Sequence, residues 1–369
     1  MPLYDPKAIN YGFGIMPCGD NSTIDVDMAA WSNFAVMLNR SVNGGTTFSN
    51  GIVSTYSLIY TVASAYAGGV LSPNGDIHFI PNDAAVGQKI SSAGVVSTYS
   101  LVYTVASAYW GGVLAPNGDI HFVPTSANRG QKVSSVGVVS TYSLVYTVPS
   151  AYYGGVLSPN GDIHFVPDNA NRGQKVDSSG VVSTYSLVYT AVNSYRGGVL
   201  APNGDIHFIP FSANRGQKVS SAGVVSTYSL VYTVGFAYIG GVLAPNGDIH
   251  FVPYGATVGQ KISSAGVVST YSLVYTATAT YMGGVLAPNG DIHFVPYRAT
   301  VGQKISSTGV VSTYSLIYTV NYAYAGGVLS QNGDIYFIPF YAAVGQKIFT
   351  LPAIPFSLGV ACHSFFNKF

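Results

Sequence analysis

Asn-Gly-Asp-Ile occurs seven times, with its aspartate at Asp76, Asp119, Asp162, Asp205, Asp248, Asp291 and Asp334, each copy 43 residues after the last. A period in the forties with β-type sequence predicts a β-propeller in which every copy is one blade. A single small sheet cannot bury its faces alone and must stack on its neighbours. The expected fold class is all-β, a seven-bladed β-propeller of four-stranded blades.

Turn chemistry and alternation cut each copy into four strands. In the second copy Gly111, Gly112 and the residues up to Pro116 read as a first strand, and Asn117-Gly118 as a tight hairpin turn with positive φ at both central residues. Asp119 to Pro124 is the second strand. Gln131-Lys132-Val133 opens the third, and Gly137 supplies the bulge of a three-residue hairpin loop. Residues 138–147 form the fourth, with Ser140, Tyr142, Leu144 and Tyr146 on one face. The Gly-Gly pair suits the innermost strand, where blades crowd at the axis.

The fourth-strand sequence Ser-Thr-Tyr-Ser-Leu begins at Ser54, before the first Gly-Gly strand, and no copy follows the last one. Residues 51–61 are therefore expected to supply the outer strand of the blade built from residues 326–348. That closes the ring and removes an open sheet edge. The domain reading is an extension over 1–50, the propeller over 51–349 and an apolar tail over 350–369.

Charged residues make up 8% of the chain, net charge is +1, and there is no glutamate. Such a surface is built from hydroxyl and amide groups and gives no electrostatic grip on nucleic acid or anionic membrane. No basic stretch leads into an apolar run near Met1, so no signal peptide is visible, and Pro352 and Pro355 interrupt an apolar end too short to span a bilayer. Cys18 and Cys362 lie outside the repeats, either as two free thiols or as one clasp.

Trp31, Phe34 and Leu38 share one face of an amphipathic helix expected over 27–40, either a lid on the ring or a docking helix for another subunit. The end of the chain carries Phe365, Phe366 and Phe369, too aromatic to float free in water. Helix and tail are the candidate assembly elements, with neighbouring structural subunits as their partners.

The run GGVLAPNGDIHFVP, followed by GQK and STYSLVYT, resembles a propeller repeat of uncharacterised bacterial and viral proteins and covers about four fifths of the chain. The end Phe365-Phe366-Asn367-Lys368-Phe369 is similar to termini of phage structural proteins. The resemblance implies the propeller fold and a place on a virion; it assigns no activity, since propellers host many.

The repeated Asp-x-His places His78, His121, His164, His207, His250 and His293 two residues after an aspartate, with Tyr336 in the seventh copy. A metal needs three or four ligands within about 2.0–2.6 Å, whereas equivalent residues of a ring are spread around it. The expected role is structural: Asp closing the hairpin turn, His hydrogen-bonded between blades, and the matching lysines solvated or bridging blades. No catalytic residue, metal site or cofactor is assigned, because no copy breaks the symmetry with a nucleophile, base and oxyanion donor.

Symmetry breaks in the segments before each Gly-Gly pair and between strands two and three, which the up-and-down topology puts on one end of the ring. Trp110, Tyr153, Arg196, Ile239 and Met282 hold equivalent places at the channel mouth, with Phe211, Tyr254, Tyr297, Phe340 and Tyr341 further out. Aromatic and Arg side chains on a stiff scaffold are what recognition surfaces use. These ten are the candidate ligand-binding residues of a non-enzymatic structural and recognition propeller, exposed on a virion (phage) or cell surface and binding a host-surface glycan or protein. The alternative is a soluble lectin-like propeller with sugar pockets between blades.

Overall fold

A computed structural model describes residues 51–350. They form seven four-stranded antiparallel sheets, one per repeat. Blade 1 comprises β2 (Tyr66–Leu71), β3 (Ile77–Pro81), β4 (Val86–Ile90) and β5 (Val96–Ser100). The pattern recurs every 43 residues up to β26 (Tyr324–Leu329), β27 (Ile335–Pro339) and β28 (Val344–Phe349) of blade 7. The helix expected over 27–40, both cysteines and the aromatic tail lie outside the described residues.

The fourth strand of blade 7 is β1 (Ile52–Ser57), paired antiparallel to β28 with Val53 opposite Ile348 and Thr55 opposite Gln346. The closure read from the displaced copy is thus the observed one.

The first hairpin differs from expectation. Gly75 N–H donates to Ser72 O at 3.0 Å and Ser72 N–H to Asp76 O at 2.8 Å, and only Gly75, not Asn74, has positive φ, at 87°. Pro73 holds φ near about −65° at the first corner, which excludes a turn with two positive φ values and selects a type I turn closed by a glycine bulge. Asn74 instead accepts the Asp76 N–H on its Oδ1 at 3.1 Å.

Each first strand starts earlier than the glycine pair, at a tyrosine, and carries a bulge between that tyrosine and the second glycine. Gly68 sits in the bulge with φ 90°, and a Cβ there would lie 3.1 Å from the backbone of Gly111 in the next blade. Third strands also start early; in blade 2 the strand is Arg129–Val133.

The blade 2 fourth strand ends at Ser143 rather than Thr147. Beyond it the chain turns away because the N–H groups of Val145 and Tyr146 donate to Oε1 of Gln174 in the next blade, at 3.0 and 2.8 Å. The same two-pronged bond repeats at Gln88, Gln131, Gln217, Gln260, Gln303 and Gln346. All seven glutamines are fully buried.

Between blades the core is layered from the same parts each time. A fully buried tyrosine such as Tyr109 packs edge-on against Phe122 with centroids 5.5 Å apart, and its hydroxyl donates to Arg129 O at 3.0 Å. Outer-strand Tyr99 lies over Gly87, where any Cβ would overlap its ring.

Candidate functional site

The Asp-x-His rows fall within blades. Lys89 Nζ donates to Asp76 Oδ2 at 2.7 Å, and the equivalent pair recurs in every blade at 2.5–2.7 Å. Asp119 further accepts the Ser135 N–H at 3.2 Å, tying one hairpin to the other. His78 Nδ1 is 3.3 Å from the Tyr99 hydroxyl of its own sheet, so the expected bond between blades is corrected to one within the blade. The aspartate joins its own turn through its side chain, since Asn74 Nδ2 donates to Asp76 Oδ2 at 3.4 Å and Asn160 Nδ2 to Asp162 Oδ2 at 3.2 Å, and the lysine pairs within its blade rather than bridging to the next.

Burial, assisted by the neighbouring lysine, lowers each histidine to about 4. The imidazoles are therefore neutral near pH 7. Burial pulls the Asp119 carboxyl upward, but the Lys132 bond and the Ser135 N–H outweigh it and hold the group below the usual range. Among the described residues no three His, Cys, Asp or Glu side chains gather into a metal-binding group.

The opposite end carries the differences between copies, and a backbone belt holds the two variable segments together. Asn82 N–H donates to Ala65 O, Ala108 N–H to Asn82 O and Thr125 N–H to Ala108 O, at 2.8–2.9 Å, and this relay continues around to Phe340. On the rigid belt the candidate residues meet one another. Trp110 packs on Tyr153 with centroids 5.0 Å apart, and Tyr153 lies 4.2 Å from the Arg196 guanidinium. That guanidinium is 3.8 Å from the Phe211 ring on its other side. Phe211, Tyr254, Tyr297 and Phe340 follow at 5.6, 6.1 and 5.9 Å, and Phe340 returns to Trp110 at 5.6 Å.

The result is a closed circle of side chains across the mouth, with Ile239 and Met282 buried in it. Trp110 and Tyr153 stand in blades whose second strand is followed by Thr125 and Asp168, and Ala325 shares its blade with Phe340, whereas blade 4 brings two large side chains, Arg196 and Phe211, together. Arg196 is fixed by Nε and Nη2 bonds of 3.2 Å to the fully buried Asp168. Burial raises the Asp168 carboxyl, and Arg196 opposes that rise. Much of the expected recognition set is thus a packed floor rather than a set of projecting side chains.

Above the floor stand residues that the sequence reading did not select. Each copy has one residue in left-handed backbone before its first strand, namely Ser64, Ser107, Ser150, Asn193, Phe236, Ala279 and Tyr322. Phe236 is 53% exposed and stacks edge-on over Phe211 at 5.0 Å; Tyr322 stands over Tyr297 at 5.0 Å, beside the exposed Tyr341. Which position takes positive φ becomes visible only once the turn is built. The one available signal was two aromatics at a place otherwise held by Ser, Asn or Ala.

Phe236, Phe211, Tyr254 and Arg196 wall a pocket of about 410 Å³, completed by Gly235, Gly255 and Thr278. Gly235 and Gly255 are the only glycines the seven copies place at these two positions, and a Cβ on Gly255 would press to 2.8 Å from Phe236 O. Arg196 spends Nε and Nη2 on Asp168 and Asn193, which leaves Nη1 as the donor end without a hydrogen bond among the described residues.

No known family profile and no curated protein matches the chain. Solved structures do. A streptogramin B lyase is 21% identical over 82% of this chain and 98% of its own, with a TM-score of 0.72. A catalytically inactive virginiamycin B lyase from Staphylococcus aureus, bound to quinupristin, is 19% identical over 82% and 99%, also at 0.72. A putative gluconolactonase reaches 11% identity over 81% and 92%, at 0.51. The likeness is one of fold. The chain is a seven-bladed β-propeller repeat protein whose structural neighbours include enzymes, and at these identities their activities do not transfer.

Proposed function

We propose that the chain is a non-enzymatic structural and recognition propeller, displayed on a virion or cell exterior, that binds a glycan or protein at the variable end of the ring. Its seat is the side spanned by blades 4 to 7, where Phe236, Tyr322 and Tyr341 rise above the packed floor. One observation carries the reading. Phe236 holds φ 59°, which Asn193 adopts at little cost and a phenylalanine adopts at a cost of about 1–3 kcal/mol, and it does so half in water over a pocket opened by two glycines. A side chain that adds strain and stays exposed is serving contact rather than stability. Exposed aromatic faces suit the C–H face of a sugar or an apolar protein side chain, and Arg196 Nη1 supplies a donor at the edge.

Phe236→Asn is the test, because asparagine relieves the left-handed backbone while removing the ring. The variant is expected to unfold at slightly higher denaturant than the parent, and to lose more than about tenfold in affinity on a glycan array or on host cells. Equal binding by variant and parent would overturn the assignment of this face.

A further inference from the structure

The constant end of the ring has a different site. Asn74, His78 and Lys89 of blade 1 face Ile120 and the hairpin turn 134–137 of blade 2 across a cavity of about 310 Å³. That volume is at the small end of ordinary ligand clefts, about 300–1,000 Å³. Its polar groups are held from behind: Lys89 by Asp76 at 2.7 Å and His78 Nδ1 by the Tyr99 hydroxyl at 3.3 Å. The ammonium is neutralised by its carboxylate, so this cavity offers donors and acceptors with no net charge.

The junction repeats its backbone contact while two lining positions vary: Ser72 is matched by Ala115, Ser158, Ala201 and Ala244, and Ser134 by Asp177 in blade 3. A Cβ on Gly118 would lie 3.6 Å from Pro73 of the preceding blade, and the same contact measures 3.6 Å at Gly161, Gly204 and Gly247 and 3.5 Å at Gly290. Histidine exposure follows, at 5–7% for His78, His121, His164, His207 and His250. Two junctions depart. His293 is 2% exposed, and it faces blade 7, where β28 and β1 are separate ends of the paired chain and no hairpin turn joins them. Between blades 7 and 1, Tyr336 replaces histidine, and Gln331 reaches across to donate to Pro73 O at 3.4 Å.

We infer that the constant end carries five pockets of one design, one between each pair of neighbours from blade 1 to blade 6, each sized for one sugar unit and uncharged except at the blade 2–blade 3 junction, where Asp177 adds a carboxylate. A pyranose matches the chemistry, its hydroxyls pairing with the imidazole, amide and serine groups that line the wall. An anion would find the lysine already paired, and a flat apolar ring would leave the polar wall unsatisfied. The inference is independent of the reading of the variable end. Five parallel seats on one rigid face tighten capture of a repeating glycan by about 10²–10⁴ over one seat.

The test is titration of the whole chain with the methyl glycosides of glucose, galactose and N-acetylglucosamine, counting bound sugars by native mass spectrometry and calorimetry. One of these is expected to fill five sites, with the blade 2–blade 3 site, which carries Asp177, differing in affinity from the other four. Ala222→Trp, at the exposed turn of blade 4, and His164→Phe, on the facing wall of blade 3, block the same pocket from opposite sides. Each should lower the count from five to four without changing the affinity of the rest. Absence of binding by all three glycosides, seven equal sites, or a count unmoved by Ala222→Trp would overturn the inference. So would a lone site abolished by Phe236→Asn, which belongs to the other end.

Discussion

Each buried histidine is a group whose environment sets how the protein answers acid. In the folded chain His78, His121, His164, His207, His250 and His293 are lowered to about 4, chiefly by burial. An unfolded histidine titrates near about 6.5, so between these values the unfolded chain binds more protons and stability rises with pH. The stabilisation is fully present above about 6.5, declines as pH falls, and is gone below about 4. Each histidine contributes up to about 1.4 kcal/mol per pH unit in that window. The carboxyls of Asp119, Asp205, Asp248 and Asp291, held below the usual range, extend the loss to lower pH with the same sign. Urea midpoints should therefore fall steeply from pH 7 to pH 5 and stay nearly flat from pH 7 to pH 8. Replacing His207 by Tyr, as blade 7 does with Tyr336, should flatten the acid limb by about one sixth if the six sites act alike.

At the scale of elements the glutamine clamps decide where a blade stops and the next begins. Gln217→Met keeps the volume but removes the acceptor for the Val188 and Tyr189 N–H groups, and should cost about 1–3 kcal/mol in urea unfolding. The sequence showed the strand count, the second hairpin and the closing strand, because turn residues and alternation act over a few neighbours. It did not show that fourth strands end at serine, since the cause, a side chain of the following blade, lies 29 residues on. Pro73, with φ fixed at about −65°, argues from sequence alone against two positive φ values in the first turn. Gln88 also gave a signal: it is an amide in the same place in all seven copies, on a strand whose Gly87 and Ile90 are core. The variable mouth was legible as a location. Its packing was not, because whether Trp110 points to water or to Phe340 depends on what six other blades place across the channel.

For the whole molecule, ring closure rests on six residues of β1 against β28. Removing residues 51–61 should leave blades 2 to 6 with native hydrogen-exchange protection while β26, β27 and β28 exchange faster, and equal protection throughout would contradict the closure as the source of their stability. The backbone belt gives the same weak point from the other end, since Ala65 N–H turns inward to Val62 O and does not continue the relay from Phe340. The closing strand has a further consequence. Its sequence, IVSTYS, is nearly that of every other outer strand, so during synthesis β1 emerges with six near-identical wrong berths made before its own. What protects it is order of arrival: each earlier blade brings its own outer strand from the next few residues and fills its berth at once, whereas blade 7 alone waits for a strand made some 290 residues before. Two nascent chains on one messenger can therefore trade these strands, and the species to look for at high expression is a pair of complete rings joined by exchanged first strands.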